Sequence, residues 1–189
     1  VVVNKPGGGG GVCAAAVKNA ENSGHTLCFT ANVIFSFTPQ FSKVDFGYDD
    51  FTYLGRVADY QLAYVLRTED KATSWQDLLA RGKAKGELIY GFSSPIERLI
   101  MSNIAKKEGI KIKAVPFKGA SAIMAALLGK HIDFGSSGGA FFPHVDAGKM
   151  KVVATSHTQR LKSFPDKPTL LELGYSYPLD LWITVVGPK

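Results

Sequence analysis

Residues 114–160 read AVPFKGASAIMAALLGKHIDFGSSGGAFFPHVDAGKMKVVATSHTQR, switching repeatedly between short apolar runs and helical periodicity. Each apolar run ends in small, polar or glycine residues, and few folds produce that rhythm. Residues 114–117 form one run, followed by Lys118, Gly119, Ala120 and Ser121. Ile123, Met124, Leu127 and Leu128 then share a helical face, with Gly129 placed to end the helix. Residues 132–134 are the next run, and Gly135, Ser136, Ser137, Gly138 and Gly139 follow it. A short helix is expected over 143–147, ended by Gly148, and a buried strand over 150–154. Alternation of this kind builds an α/β fold with a mostly parallel sheet. Open sheets of that class bind ligands beyond the carboxyl ends of their strands, where these small-residue turns stand.

The same order continues upstream. Ser74, with Asp77 three residues later, begins a helix carrying Trp75, Leu78 and Leu79 on its inner face; Gly82 and Gly86 mark its end. A strand is expected over 87–92. Ser94, Pro95 and Glu97 then supply a cap residue, a first-turn proline and an acid at the third position. Ile96, Leu99, Ile100 and Ile104 repeat at helical spacing, and Gly109 stops the helix. Free amides and the helix dipole make such a start favourable to a carboxylate. The turns at Ser93 and Ser94, at 118–121 and at 136–139 are therefore expected to meet at one cleft. The plainer alternative is that every α/β protein has capped helix starts.

The N-terminal part is less regular. A strand is expected over 1–4, then a glycine-rich turn from Lys5 to Gly11, then an alanine-rich helix over 12–20. That layout invites a phosphate loop, but Val12 stands where a dinucleotide fingerprint starting at Gly7 needs glycine, and no Gly-Lys-Ser/Thr follows. A turn that lets helix and strand pack closely is the preferred reading. Residues 25–30 read as the next strand; Thr30 and Asn32 at its end are suited either to a ligand or to their own backbone. Residues 33–51 hold Phe35, Phe37, Phe41, Phe46 and Phe51 without a period and are expected to form an irregular cover. Asp45, Asp49 and Asp50 lack the spacing of a calcium loop. Residues 62–66 are expected to cross as a strand from a first lobe into a second, and the chain to return after Thr155. A proline-punctuated loop from Arg160 to Gly174 leads into a short helix over 169–173, and Trp182 belongs to the last strand as a core or hinge residue.

Composition closes off several classes. At 189 residues and 46% hydrophobic the chain can bury a core, and 20% charged residues without long runs argue against disorder. The net charge of +6 is spread along the chain. Its densest group, Lys106, Lys107, Lys111 and Lys113, reads as a solvated helix end rather than a nucleic-acid surface. No apolar run is long enough to cross a membrane. Neither a signal peptide nor an initiator Met is seen, and Val1–Val3 and 182–186 read as strand interiors, so the chain is expected to be a piece of a longer protein. Cys13 and Cys28 are read as buried small apolar residues, with a bridge as the alternative in an oxidising compartment. His25, His131, His144 and His157 are scattered, lack metal spacing and are expected at the surface. No Gly-x-Ser-x-Gly elbow occurs, so nothing asks for catalysis, a metal or a cofactor.

The order VPFKG, ALLGKHID, a Ser/Gly turn, DAGKMKVVATS and R-x-x-x-x-P-D-K-P-T-L-x-E-L-G (Arg160 to Gly174) carries a resemblance. NKPGGGGG, HTL and DDFTYLGRVA extend it upstream, and LWITVVGP downstream. Together they resemble the periplasmic solute-binding proteins of tripartite tricarboxylate transporters, the TctC or Bug family, over essentially the whole chain. The resemblance implies a type II periplasmic-binding-protein-like α/β fold of two lobes, the first (1–66 and 155–189) incomplete and the second (67–154) nearly whole. The family's opening strand and C-terminal helices have no counterpart here. It further implies a monomeric Venus flytrap receptor, not an enzyme, that closes on a small carboxylate and presents it to membrane permease subunits, with no nucleic acid involved. The ligand-binding candidates are Thr30, Asn32, Ser93, Ser94, Lys118, Gly119, Ser121, Ser136, Ser137 and Gly138. The chain departs from the family at Gly91-Phe92-Ser93-Ser94-Pro95, where a Gly-x-Gly-Ser-like loop is usual, and Phe92 is expected to narrow the pocket. A ligand-sensing domain of a transcription regulator and a nucleotide-handling enzyme using the Lys5 to Gly11 turn remain the other readings.

Overall fold

Capping chemistry sets where the main helices begin. The computed structural model describes residues Val1–Lys189. In chain order its elements are α1 (Gly11–Lys18), β1 (Cys28–Ala31), α2 (Val33–Ser36), α3 (Thr38–Phe41), β2 (Phe51–Tyr60), β3 (Ala63–Arg67), α4 (Trp75–Lys85), β4 (Leu88–Phe92), α5 (Pro95–Glu108), β5 (Ile112–Pro116), α6 (Ala120–Leu128), β6 (Phe134–Ser137), α7 (Phe142–Asp146), β7 (Met150–Thr155) and β8 (Leu181–Pro188). At α4 the Ser74 hydroxyl accepts from the Asp77 amide (3.1 Å), and the Asp77 carboxylate accepts from the Ser74 amide (3.0 Å). The amide of Thr73 also donates to Asp77 and, with the other donors there, holds its carboxyl down to about 2. Gly86 and Gly109 end α4 and α5 with φ of 88° and 65°, values that glycine adopts without strain.

The chain divides into two compact units, Val1–Tyr60 with Leu181–Lys189, and Gln61–Asp180. In the first, β8 lies between β1 and β2 in a three-stranded antiparallel sheet. Residues 33–51 are more ordered than their pattern suggests, since α2 and α3 lie within them. Phe35, Phe46 and Phe51 pack edge-on as this unit's aromatic core, with Phe35 and Phe51 ring centroids 4.8 Å apart. Residues 1–4 form no strand, and Val1, Val2 and Val3 are exposed. Cys13 and Cys28 are bridged, with Cα atoms 6.4 Å apart, so the bonded alternative replaces the reading as separate apolar residues. Closing a loop of sequence separation 15 is worth about 3 kcal/mol in the chain-entropy account. The bridge ties α1, which follows the glycine turn, to β1.

In Gln61–Asp180 a five-stranded sheet has the order β5-β4-β6-β3-β7. β4 is parallel to β5 and β6, whereas β3 is antiparallel to both β6 and β7. Hence β4, β5, β6 and β7 all run the same way and β3 alone is reversed. One face carries Tyr64, Leu66, Leu88, Tyr90 and Phe134 under α4 and α5, with Trp75 and Ile104 fully buried. The other carries Ala63, Val65 and Val152 under α6 and Phe141. Gly91 and Gly135 pair across β4 and β6, and α6 is seated on them. A Cβ on Gly135 would lie 2.5 Å from Ile123 Cγ2.

The unit boundaries fall after Tyr60 and Asp180, not after Leu66 and Ala154. The reason is pairing: β3 is an inner strand of the second sheet, hydrogen-bonded on both sides. Residues 155–180 also stay with it. Thr155 bridges Thr169, the Leu179 amide donates to the Ser156 carbonyl (2.7 Å), and Trp75 Nε1 donates to the Tyr175 hydroxyl (3.2 Å). The helix expected at 169–173 is a single turn closed by reciprocal bonds between Thr169 and Glu172. The return to the first unit is made by β8, which contains Trp182 beneath the Arg56 guanidinium.

Candidate functional site

Strand direction gathers most of the candidates at one edge of the five-stranded sheet. Phe92 pairs with Pro116, Gly91 with Gly135, and Ala63 with both Ser137 and Thr155. The segments leaving β4, β5, β6 and β7 therefore emerge side by side: Ser93 and Ser94, then Lys118 and Gly119, then Gly138, then Ser156 and His157. The Phe117 amide donates to the Phe92 carbonyl (2.9 Å), locking the first two together. The convergence of the Ser93, Lys118 and Ser137 turns on one edge is thus a feature of Gln61–Asp180 alone.

The helices that start there differ. At α5 the Glu97 carboxylate turns back and accepts from the amides of Ser93 (2.8 Å) and Ser94 (3.4 Å). Glu97 is only 3% exposed, and its partners are amides and hydroxyls rather than cations. Burial, the largest influence, pushes its carboxyl above the ordinary value of 4.5, against the pull of those donors. The Ser136 hydroxyl also bonds this carboxyl and lies 2.6 Å from the Tyr90 hydroxyl. Beyond, the Ser156 hydroxyl donates to the buried Tyr64 hydroxyl (3.1 Å). Burial raises both tyrosines well clear of the physiological range. A hydroxyl-and-carboxyl network thus fills the sheet face beneath α5.

At α6 nothing plays the part of Glu97. Gly119 is the N-cap, no side chain caps the helix, and the first intrahelical bond runs from the Ile123 amide to the Gly119 carbonyl (3.3 Å). Lys118 and Ser121 beside it are exposed. At the β6 end, the Ser137 hydroxyl oxygen accepts from the amides of Gly139 (3.3 Å) and Ala140 (3.0 Å), leaving its proton to donate. Ser136 is fully buried and spent on Tyr90 and Glu97, so it supports this edge from behind.

Three residues at this edge were not singled out from sequence: Thr155, Ser156 and His157. All are buried, which also corrects the expected surface position of His157, and the Thr155 hydroxyl is buried without a hydrogen-bond partner. Their signal was the same as elsewhere, an apolar run ending in small polar residues. Thr30 and Asn32 belong to the other unit. The Asn32 side-chain oxygen accepts from the Trp182 amide (3.2 Å), and Thr30 pairs with Thr184 in the sheet. The Asn32 side chain thus serves the backbone of a distant strand rather than its own turn. Phe92 is 8% exposed and stacks on Tyr90 in the core.

A mixed α/β unit with ligand-suited turns at its strand ends is the architecture of periplasmic binding proteins, and solved structures of that class superpose on the chain. An adipate-bound R. palustris protein matches with TM-score 0.89 and 23% identity, over 100% of this chain and 66% of its own. A malate-bound protein of Rhodopseudomonas palustris, MatC, matches with TM-score 0.81 and 20% identity, over 96% and 64%. Among curated proteins, the UPF0065 protein in the gbd 5′ region of Cupriavidus necator is 31% identical over 193 residues, all of this chain and 59% of the relative. The chain therefore spans about three fifths of that relative's length. The model of the tripartite tricarboxylate transporter family receptor, TctC, matches residues 1–189, and the chain belongs to that family.

Proposed function

We propose that the protein is an extracytoplasmic solute receptor that takes a small carboxylate at the α6 edge of Gln61–Asp180. The carrying observation is that α6 starts without a side-chain cap at half-buried Gly119, between exposed Lys118 and Ser121, where the other turns also emerge. First-turn amides and the helix dipole suit an anion there. Lys118 adds a cationic side chain, and Ser137 and Gly138 add a hydroxyl donor and open backbone. Ser93 and Ser94 contribute hydroxyls, since their amides are occupied. Recognition would rest on amides, hydroxyls and bridging water, with no chemistry on the ligand. The adipate and malate held by the two solved proteins fit that ligand class. Family membership supports delivery to a tripartite permease, and the Cys13–Cys28 bridge suits the oxidising periplasm.

The test is calorimetric titration and thermal shift of the full-length protein against mono-, di- and tricarboxylates, with nucleotides as the competing class. A carboxylate at about a hundred times its dissociation constant should stabilise by about 2.7 kcal/mol. A rise with nucleotides alone, or with nothing, would overturn the receptor reading.

A further inference from the structure

The two amides that lead into α5, those of Ser93 and Ser94, are already taken. In a site that reads carboxylates, two neighbouring amides at a helix start are the natural seat for a ligand carboxylate. Here Glu97 sits in that seat from within, 3% exposed, its Oε2 on the Ser93 and Ser94 amides. It is not a mobile surface side chain. Pro95 at the first helical position holds the turn, and Ser136 braces the carboxyl from β6 while Tyr90 hydrogen-bonds Ser136. Displacing it would strand two amides and a buried hydroxyl at once. The α6 start, reached through the Phe117–Phe92 bond, has no such occupant.

We infer that Glu97 is a specificity-determining residue: a resident carboxylate that denies the α5 turn to a second ligand carboxylate and leaves only the α6 turn for one. This rests on the receptor reading above and narrows it. The ligand class is a small acid with one carboxylate at the α6 turn. Its far end is uncharged or hydrogen-donating and meets the Ser93 and Ser94 hydroxyls. A symmetrical diacid gains nothing from its second charge, because the donors that would receive it are filled. The seat is denied whether Glu97 is ionised or neutral, since a protonated carboxyl still offers an oxygen to the same amides. Glu97 acts through occupancy, and it is a positioning group for the turn rather than a ligand contact.

The experiment measures affinity for matched pairs, hexanoate with adipate and butyrate with succinate, by calorimetry on the full-length protein, wild type, Glu97→Gln and Glu97→Ala. Wild type should bind the monoacid at least as tightly as its diacid partner. Glu97→Gln keeps an oxygen on the amides and should leave that ratio within about threefold. Glu97→Ala opens the seat and should raise the diacid-to-monoacid ratio by about tenfold or more. The ratio is the informative readout, because general loosening of the fold weakens both acids of a pair alike. A wild-type preference for diacids of about tenfold, or a ratio unmoved in Glu97→Ala, would overturn the role of Glu97 while leaving the receptor standing. Failure of every acid to bind any of the three proteins would overturn the receptor reading and this inference with it.

Discussion

The starts of α5 and α6 stand at the same edge of one sheet, joined by the bond between Phe117 and Phe92, yet they solve the same problem in opposite ways. A helix leaves its first amides without internal partners. α5 satisfies its turn from within the chain, through a buried acid braced by Ser136. α6 has a glycine where a cap belongs and leaves its first turn open. A protein needing only stability would cap both. The contrast separates a turn built for rigidity from one suited to an external partner.

Removing the internal cap should give the largest effect. Glu97→Ala leaves the Ser93 and Ser94 amides and the Ser136 hydroxyl without their acceptor, and should cost about 3 kcal/mol in denaturant unfolding. A loss under about 1 kcal/mol would mean that α5 is not held this way. Next comes the seating of α6. Gly135→Ala puts a methyl against Ile123 and should cost about 2 kcal/mol, with carboxylate affinity weakened as the helix is displaced. The sharpest exchange makes α6 resemble α5. Gly119 has φ of 170°, extended backbone open to any residue, and its Cβ direction is clear. Gly119→Asp supplies a cap and should stabilise by about 1 kcal/mol while weakening carboxylate binding; stability and affinity rising together would contradict the open-turn reading. The smallest effect is in pH. Folding raises the Glu97 carboxyl above 4.5, so the native state holds its proton more tightly than the unfolded chain does. That contribution is complete below 4.5 and declines as pH rises through the folded value, so Glu97→Gln should flatten the stability curve on that alkaline side.

The contrast was half legible in the sequence. Ser94, Pro95 and Glu97 announced a capped helix, because capping is a local matter of spacing, whereas the turn at 118–121 was read as the same arrangement and its missing cap came only from the structure. Pattern alone does not show that Glu97 is buried and therefore permanently in its seat. That follows from Ser136 arriving on β6, far along the chain. The succession of strands and helices over residues 87–155 was likewise readable from alternation. The reversal of β3 and the retention of 155–180 were not, since both depend on which strand pairs with which. Thr155, Ser156 and His157 were passed over for that reason: a segment assigned to a crossing is not searched for a site. The disulfide needed Cα atoms within 6.4 Å, a distance set by how α1 docks on β1 and not by spacing.

Ser156 has one further consequence. Its amide donates to the carbonyl of Leu62 (3.1 Å) and its carbonyl accepts from the amide of Leu179 (2.7 Å). One residue thus clasps both the point where the chain enters Gln61–Asp180 and the point where it leaves. Entry and exit sit within a few residues' reach, the arrangement found where one domain is spliced into a loop of another. For engineering, residues 61–180 are the natural cassette, because every strand pairing of the five-stranded sheet lies within them.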